Sequence, residues 1–219
     1  NYRSPLTTKR LQSWHAALFP TGYSWLRKIT VGRWRKGDMQ VVSGPTGKEK
    51  IHFEAPPADA LQKQMEKFLS WWKSSQQDTE GFLRAAIAHL WFATIHPFDD
   101  RNGRVARALT DMALSQDETL GARLYSFSSQ IMDERSEYYR ILEKTQKGTG
   151  DITAWLEWFL ACLTRAMEKA EKIIAKVLAK AEFWQHHSAT QMNERQRKVV
   201  NRLLDAGVGE FQGGLTTRK

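Results

Sequence analysis

Cysteine is nearly missing from this 219-residue chain. Cys162 stands alone, which excludes an intrachain disulfide framework and makes the residue a small buried hydrophobe. Long hydrophobic runs are missing as well. The longest uncharged stretch, Ala85 to Phe98, includes two His and falls far short of the ~20 apolar residues of a membrane helix, so no membrane partner is expected. No signal peptide opens the chain, and a lone thiol fits a reducing, cytoplasmic compartment. Repeats and low-complexity tracts are absent. The first residue is Asn1 rather than Met, with helix-forming sequence close behind, so a further N-terminal segment is expected to precede it. What the chain does carry is a core. Hydrophobic residues make up 41%, including nine Trp, ten Phe and five Tyr, more aromatic surface than a solvated chain holds and enough for one domain with a small appendage.

The net charge of +9 is unevenly spread, because residues 1–51 hold ten Lys/Arg against two Asp/Glu. Such a lobe suits nucleic acid, nucleotide phosphates or an acidic partner, and it equally suits a plain solvated face.

Hydrophobic spacing places a helix from about Thr8 to Phe19, with Leu11, Trp14, His15 and Leu18 on one face and Pro20-Thr21-Gly22 as its stop. Strand formers follow, and Gly44-Pro45-Thr46-Gly47 reads as the turn of a β-hairpin pairing Gln40–Ser43 with Ile51–Phe53. Beyond Pro56-Pro57 the pattern is helical throughout. One amphipathic helix carries Leu61, Met65, Phe68, Leu69 and Trp72, and Phe82 to Ile95 is apolar on nearly every side, as a central helix would be. Further helices are expected at Asn102–Gln116, Ser129–Gln146, Asp151–Phe183 and Asn193–Leu204, the last opened by an Asn193-x-x-Gln196 capping box. The expected fold is all-α, a helical bundle with one β-hairpin, over residues 1–190. Residues 191–219 would begin a C-terminal segment.

The informative stretch is His96-Pro97-Phe98-Asp99-Asp100-Arg101-Asn102-Gly103-Arg104-Val105-Ala106-Arg107. It joins the end of the buried helix to the start of the next, where free N–H groups and the helix dipole favour an anion. Arg104 and Arg107, three apart, share one helix face and suit a polyphosphate. His96 titrates near neutral pH and suits general-base work on a hydroxyl nucleophile. Asp100 is a hard oxygen ligand that suits Mg²⁺. A His89/His96/Asp100 metal set is disfavoured because Pro97 breaks the helix that would align it.

These residues resemble the motif of the Fic (filamentation induced by cAMP) family, His-x-Phe-x-(Asp/Glu)-(Gly/Ala)-Asn-(Gly/Lys)-Arg-x-x-Arg. Eleven of the twelve positions agree or are free. The Val41–Phe53 hairpin resembles the family's flap, Tyr138-Tyr139 to Asp151 its nucleotide-pocket segment, and Thr7–Phe19 the core entry of a subgroup with a large N-terminal extension. The resemblance implies a protein adenylyltransferase that moves AMP from ATP, with Mg²⁺, to a Ser, Thr or Tyr hydroxyl of a target protein. His96 would be the base and Asp100 the metal ligand. Asn102 would touch the α-phosphate, Gly103 would belong to the anion nest, Arg104 and Arg107 would hold the outer phosphates, and Tyr138 and Tyr139 would border the adenosine. Val41, Val42, Ser43 and His52 of the flap would receive the target as an added strand.

One position departs from the motif. Arg101 stands where the family has Gly or Ala, and if the loop needs φ > 0 there, a side chain costs about 1–2 kcal/mol. Its guanidinium could also pair with Asp100. The rival expectation is therefore a catalytically impaired Fic-fold module that still binds nucleotide or target. No complete Ser/Thr-x-x-x-Glu-Gly/Asn inhibitory motif occurs, so an inhibitor is expected in a preceding N-terminal segment. DNA binding is a third option, since residues 193–219 resemble the opening of a winged helix.

Overall fold

The Thr7 hydroxyl accepts the Arg10 backbone N–H at 3.2 Å and so caps α1 (Thr8–Ala17), whose buried side presents Leu11 and His15. In this computed structural model, which describes residues 2–45 and 47–206, two small antiparallel hairpins follow. β1 (Tyr23–Ser24) pairs with β2 (Arg27–Lys28), and β3 (Gln40–Ser43) pairs with β4 (Lys50–Glu54). The second is the expected hairpin, with a register irregularity between Val41 and Val42 and with Gly44 and Gly47 at positive φ in its turn. The first was not expected, because two-residue strands carry no periodic signal. Its turn residues Trp25 and Leu26 are 92% and 98% exposed.

The remaining regular elements of the described chain are helices. These are α2 (Leu61–Asp78), α3 (Gly81–Ile95), α4 (Asn102–Asp117), α5 (Phe127–Asp133), α6 (Arg135–Gln146), α7 (Thr153–His186) and α8 (Glu194–Ala206). As its composition demands, α3 is central: Ala85, Ala86, Ala88, His89, Phe92 and Ile95 are all buried, against α2, α4 and α7. The start of α3 meets the end of α4 closely. A Cβ on Gly81 would lie 2.1 Å from the Asp117 Cβ, so only glycine lets the two helices cross there. The α7 stripe Trp155, Trp158, Phe159 and Cys162 closes the core, Trp155 Nε1 donating to the Ala86 carbonyl at 2.9 Å. Burial pushes the Cys162 thiol up to about 12.

The expected helix over 129–146 is two helices. Glu134 breaks it at φ −106°, ψ 27°, and its carboxylate accepts from Gln130 of α5 and Arg165 of α7. The change of direction lets Phe127 and Ile131 on one side and Tyr138 and Ile141 on the other reach the core. The capping box at α8 forms as expected: Asn193 N–H donates to Gln196 Oε1 and Gln196 N–H to Asn193 Oδ1, each at 2.9 Å. The winged-helix expectation falls largely on residues 207–219, outside those described. No described helix is long and apolar enough to cross a membrane.

His89 carries a pH consequence. Thr110 Oγ1 donates to the Ala106 carbonyl at 3.1 Å and so accepts from His89 Nδ1 at 2.9 Å, which leaves Nε2 to take the Tyr138 hydroxyl proton at 3.0 Å. Burial first, and Arg107 second, lower the imidazole to about 3. The unfolded chain therefore takes up a proton near pH 6.5 that the folded chain refuses until about pH 3, and stability is full above the first value and lost on descending toward the second. Urea unfolding at pH 5 is expected to give about 2 kcal/mol less stability from this group than at pH 7.5. A His89→Gln variant that keeps the same pH dependence would assign the loss to other groups.

Candidate active site

The chain leaves α3 through a residue in the left-handed region. His96 has φ 51°, ψ 56°, and Pro97 follows, so the helix cannot continue. This conformation costs a non-glycine residue about 1–2 kcal/mol, and Arg35 offsets it: Nε donates to the His96 carbonyl and its backbone N–H to the Pro97 carbonyl, each at 2.9 Å. The half-buried His96 ring places Nδ1 3.2 Å from the Ala93 carbonyl. A carbonyl only accepts, so the proton sits on Nδ1 and Nε2 presents a lone pair. Burial is the main cause holding this imidazole below its ordinary value; the Ala93 bond opposes it, Arg35 adds to the lowering and Asp100 opposes. The result is a neutral imidazole at neutral pH, the form a general base needs.

Between His96 and α4 the loop is stitched to itself and to the N-terminal lobe. Asn102, 1% exposed, accepts the Phe98 N–H through Oδ1 at 2.9 Å and donates Nδ2 to the Phe98 carbonyl at 2.7 Å. The amide expected to touch the α-phosphate thus also braces the loop's own backbone. Phe98 stacks on His15, with ring centroids 4.1 Å apart and planes 5° from parallel. His15 Nδ1 accepts the Gly32 N–H at 3.1 Å, leaving Nε2 to donate to the Asp100 carbonyl at 3.2 Å. Asp99 Oδ2 accepts the Thr30 N–H at 2.9 Å. Neither His15 nor Arg35 was singled out from the sequence. His15 registered only as one position of an amphipathic face, and Arg35 as one charge of a basic lobe.

Arg101 does adopt the left-handed region, at φ 61°, ψ 18°, just ahead of α4. Its N–H donates to Asp100 Oδ1 at 2.6 Å, and its Nε lies 3.8 Å from Asp100 Oδ2, which also accepts the Ser24 hydroxyl. Asp100 is thus partly exposed and already in company. It fits Mg²⁺ in the way that ion is usually held, by one or two carboxylates with substrate phosphates completing the shell. Among the described residues no group of three or more His, Cys, Asp and Glu could hold a metal, and His89 is committed to Thr110 and Tyr138.

On the first turn of α4, the N–H groups of Asn102 and Gly103 precede any intrahelical partner. A Cβ on Gly103 would meet only Arg107 Nη1, at 3.7 Å, so the Arg107 guanidinium lies back over the open helix start. Arg104 is exposed and Arg107 half-buried, and neither forms an ion pair with any described residue. Open backbone donors beside two guanidiniums without an ion-pair partner are an arrangement that can hold an anion.

Tyr138, expected at the adenosine, is 4% exposed and bonded to His89 in the core, within reach of the Arg107 charge. Tyr139, next in sequence, is 51% exposed with the Arg135 guanidinium 5.6 Å over its ring. On the flap, Val42 is 47% exposed and Ser43 is exposed, while Val41 is half-buried opposite Phe53. His52 is engaged rather than free: Nδ1 meets Glu143 of α6 and Nε2 meets Ser43, both at 2.6 Å. Lys147, with His52 second, holds the Glu143 carboxyl down at about 2. β4 is thereby latched to α6, and among the described residues β3 keeps an unpaired outer edge.

A family model described as "Fic/DOC family" matches residues 5–114, which takes in α1, both hairpins, α2, α3 and the whole motif. The chain belongs to the Fic/DOC family. Two curated relatives agree. A uridine 5'-monophosphate transferase of Xanthomonas campestris pv. campestris is 33% identical over 121 residues, 52% of this chain and 22% of that protein. A protein adenylyltransferase Fic of Nematostella vectensis is 32% identical over 117 residues, 52% of this chain and 25% of that protein. The Fic domain thus aligns with about a quarter or less of these relatives' length. Among solved structures, a Fic family protein from Desulfovibrio desulfuricans superposes with a TM-score of 0.63 at 26% identity, covering 86% of this chain and 49% of that one. A Fic domain containing signaling protein from Bacteroides thetaiotaomicron shares the fold, with a TM-score of 0.60 at 21% identity over 77% of this chain and 63% of that one. The Fic helical bundle with its flap is therefore the fold of this chain, and the relatives' names support a nucleotidyltransferase kind of enzyme.

Proposed function

We propose that this Fic domain transfers AMP from ATP to a Ser, Thr or Tyr hydroxyl of a target protein. The observation that carries the proposal is the neutral His96 imidazole, its Nε2 lone pair uncommitted, on the loop leading into a helix start that offers backbone donors and two unpaired guanidiniums. The β- and γ-phosphates lie against Arg104 and Arg107, and the backbone at Gly103 cradles the anion. The target segment adds to the outer edge of β3. Its hydroxyl oxygen attacks the α-phosphorus and gives its proton to His96 Nε2, while the α-phosphorus bond to the bridging oxygen breaks and pyrophosphate leaves. Asp100 is the carboxylate for Mg²⁺ arriving with the nucleotide, and that ion would neutralise phosphate charge. One relative's name specifies UMP and the other adenylyl transfer, so α-labelled ATP and UTP are compared, with mass spectrometry of modified lysate proteins. A gain of AMP supports the proposal, and a gain of UMP alone moves the chemistry to uridylyl transfer.

Arg101 favours a second reading, a silent binding module. Magnitude decides between the two. Arg101 and Asp100 are 33% and 40% exposed at 3.8 Å, and such a pair is worth at most about 1 kcal/mol, roughly a fivefold handicap rather than abolition. Arg101→Gly is therefore expected to raise transfer by up to about fivefold, and to stabilise the fold by up to about 1 kcal/mol by relieving the left-handed side chain. Wild type and Arg101→Gly both silent toward every nucleotide, while still binding ATP, would favour the module.

A further inference from the structure

Arg35 is 3% exposed, yet it forms no ion pair among the described residues. Taking a guanidinium out of water without a carboxylate in contact is costly, and burial lowers its pKa while the more distant Asp38 and Asp99 oppose that. The compensation is a set of carbonyls. Nε donates to His96 O at 2.9 Å, Nη1 to Gly37 O at 2.7 Å and Nη2 to Pro56 O, and the backbone N–H holds Pro97 O at 2.9 Å. Those acceptors belong to three separate pieces of chain. His96-Pro97 is the exit from α3, Gly37 leads into β3, and Pro56 follows β4. The two flap strands are joined to each other beside this point, since Ala55 N–H donates to Met39 O at 2.9 Å.

We propose that Arg35 is a positioning residue for the transfer reaction, a buried planar fork that fixes the catalytic His96 and the base of the target-receiving flap in one frame. The proposal rests on the reading of His96 as the base. Two demands meet in Arg35. The left-handed His96 needs its carbonyl held, or the ring loses the orientation that the Ala93 bond gives it. The flap needs a fixed root, or a hydroxyl on an added strand arrives at a variable distance from Nε2. A guanidinium presents donors in one plane toward several carbonyls, whereas a lysine ammonium, a compact charge with a tetrahedral set, cannot reproduce the arrangement. Arg35 touches no group assigned to the phosphates, so its effect should fall on kcat and leave nucleotide affinity alone.

The test is Arg35→Lys in the full chain, scored by three readouts. The expected results are a loss of about 10²-fold in kcat, the scale of misplacing a reacting group by about 1 Å, with the Kd of a non-hydrolysable ATP analogue within about threefold of wild type. Imidazole ¹⁵N spectra should change from a single Nδ1–H tautomer of His96 to an averaged signal. In the His96→Ala background the same substitution should cost markedly less than in the wild type, because the part that acts through the imidazole is already lost and only the part that acts through the flap remains. Wild-type kcat together with an unchanged His96 spectrum would overturn the proposal, as would equal losses of turnover and analogue binding. If Arg35→Lys does not fold, the wild-type protein still decides. Its Arg35 Nε–H must be protected from exchange and show a scalar coupling to the His96 carbonyl carbon, and exchange as fast as that of surface arginines would overturn the inference. A wild type with no transferase activity would instead remove the His96 reading, while these spectra would still report whether the fork exists.

Discussion

Replacing His96 by Ala is expected to lower nucleotidyl transfer by about 10²- to 10⁴-fold, the usual contribution of a positioned general base, with little change in ATP affinity. The separation follows from the geometry. The imidazole sits at the end of α3, whereas the anion-binding donors belong to the first turn of α4, and the loop between them is fixed by Asn102, His15 and Asp99 rather than by the His96 ring. Because burial holds the His96 pKa below its ordinary 6.5, the acid limb of the pH–rate profile should lie below 6.5. Steady-state transfer of α-labelled nucleotide across pH, beside calorimetric binding of an unreactive analogue, measures both. An alanine variant that retains most of its transfer rate would move the proton acceptor elsewhere.

Removing the two guanidiniums should produce the opposite pattern, a loss of binding that precedes any loss of chemistry. A charge-assisted hydrogen bond contributes about 1.5–3 kcal/mol, or roughly 10- to 150-fold in affinity. Arg107 should lie in the upper part of that range, because it is half-buried and folded back over Gly103. Arg104 is exposed and more screened by water and salt, so its loss should fall near or below tenfold. The comparison that tests this uses ATP, ADP and AMP with Arg104→Ala and Arg107→Ala. ATP and ADP should weaken in both variants while AMP, lacking the outer phosphates, stays nearly constant. Equal weakening of all three would put the guanidiniums on the α-phosphate or on the fold instead.

Much of this arrangement was legible in the chain. The buried character of α3 followed from an apolar run with no polar face, and the flap from strand formers around a Gly-Pro-x-Gly turn, because in both cases local pattern and tertiary environment agree. The motif loop stood out for a different reason: its residue types and spacing match a family pattern within a few consecutive positions. What was hidden depended on distant partners. Tyr138 and Tyr139 look equivalent as letters, and only the packing of α6 against His89 decides which enters the core. The Asn102 amide reads as a ligand-binding group, and its second task, bracing the Phe98 backbone at both ends, shows only in the folded loop. His15 and Arg35 act on the loop from 85 and 61 residues away in sequence, separations across which no periodicity carries information. The break at Glu134 was hidden too, since it answers to Arg165 on another helix.

The sealed thiol of Cys162 has a practical consequence. With a pKa near 12 and no surface in contact with solvent, it is invisible to maleimide and iodoacetamide reagents, so the wild-type sequence already serves as a cysteine-silent background. A single cysteine installed at Ser43 would take up one fluorophore or spin label and nothing else would, allowing the approach of a peptide to the β3 edge to be followed in real time without dismantling the core.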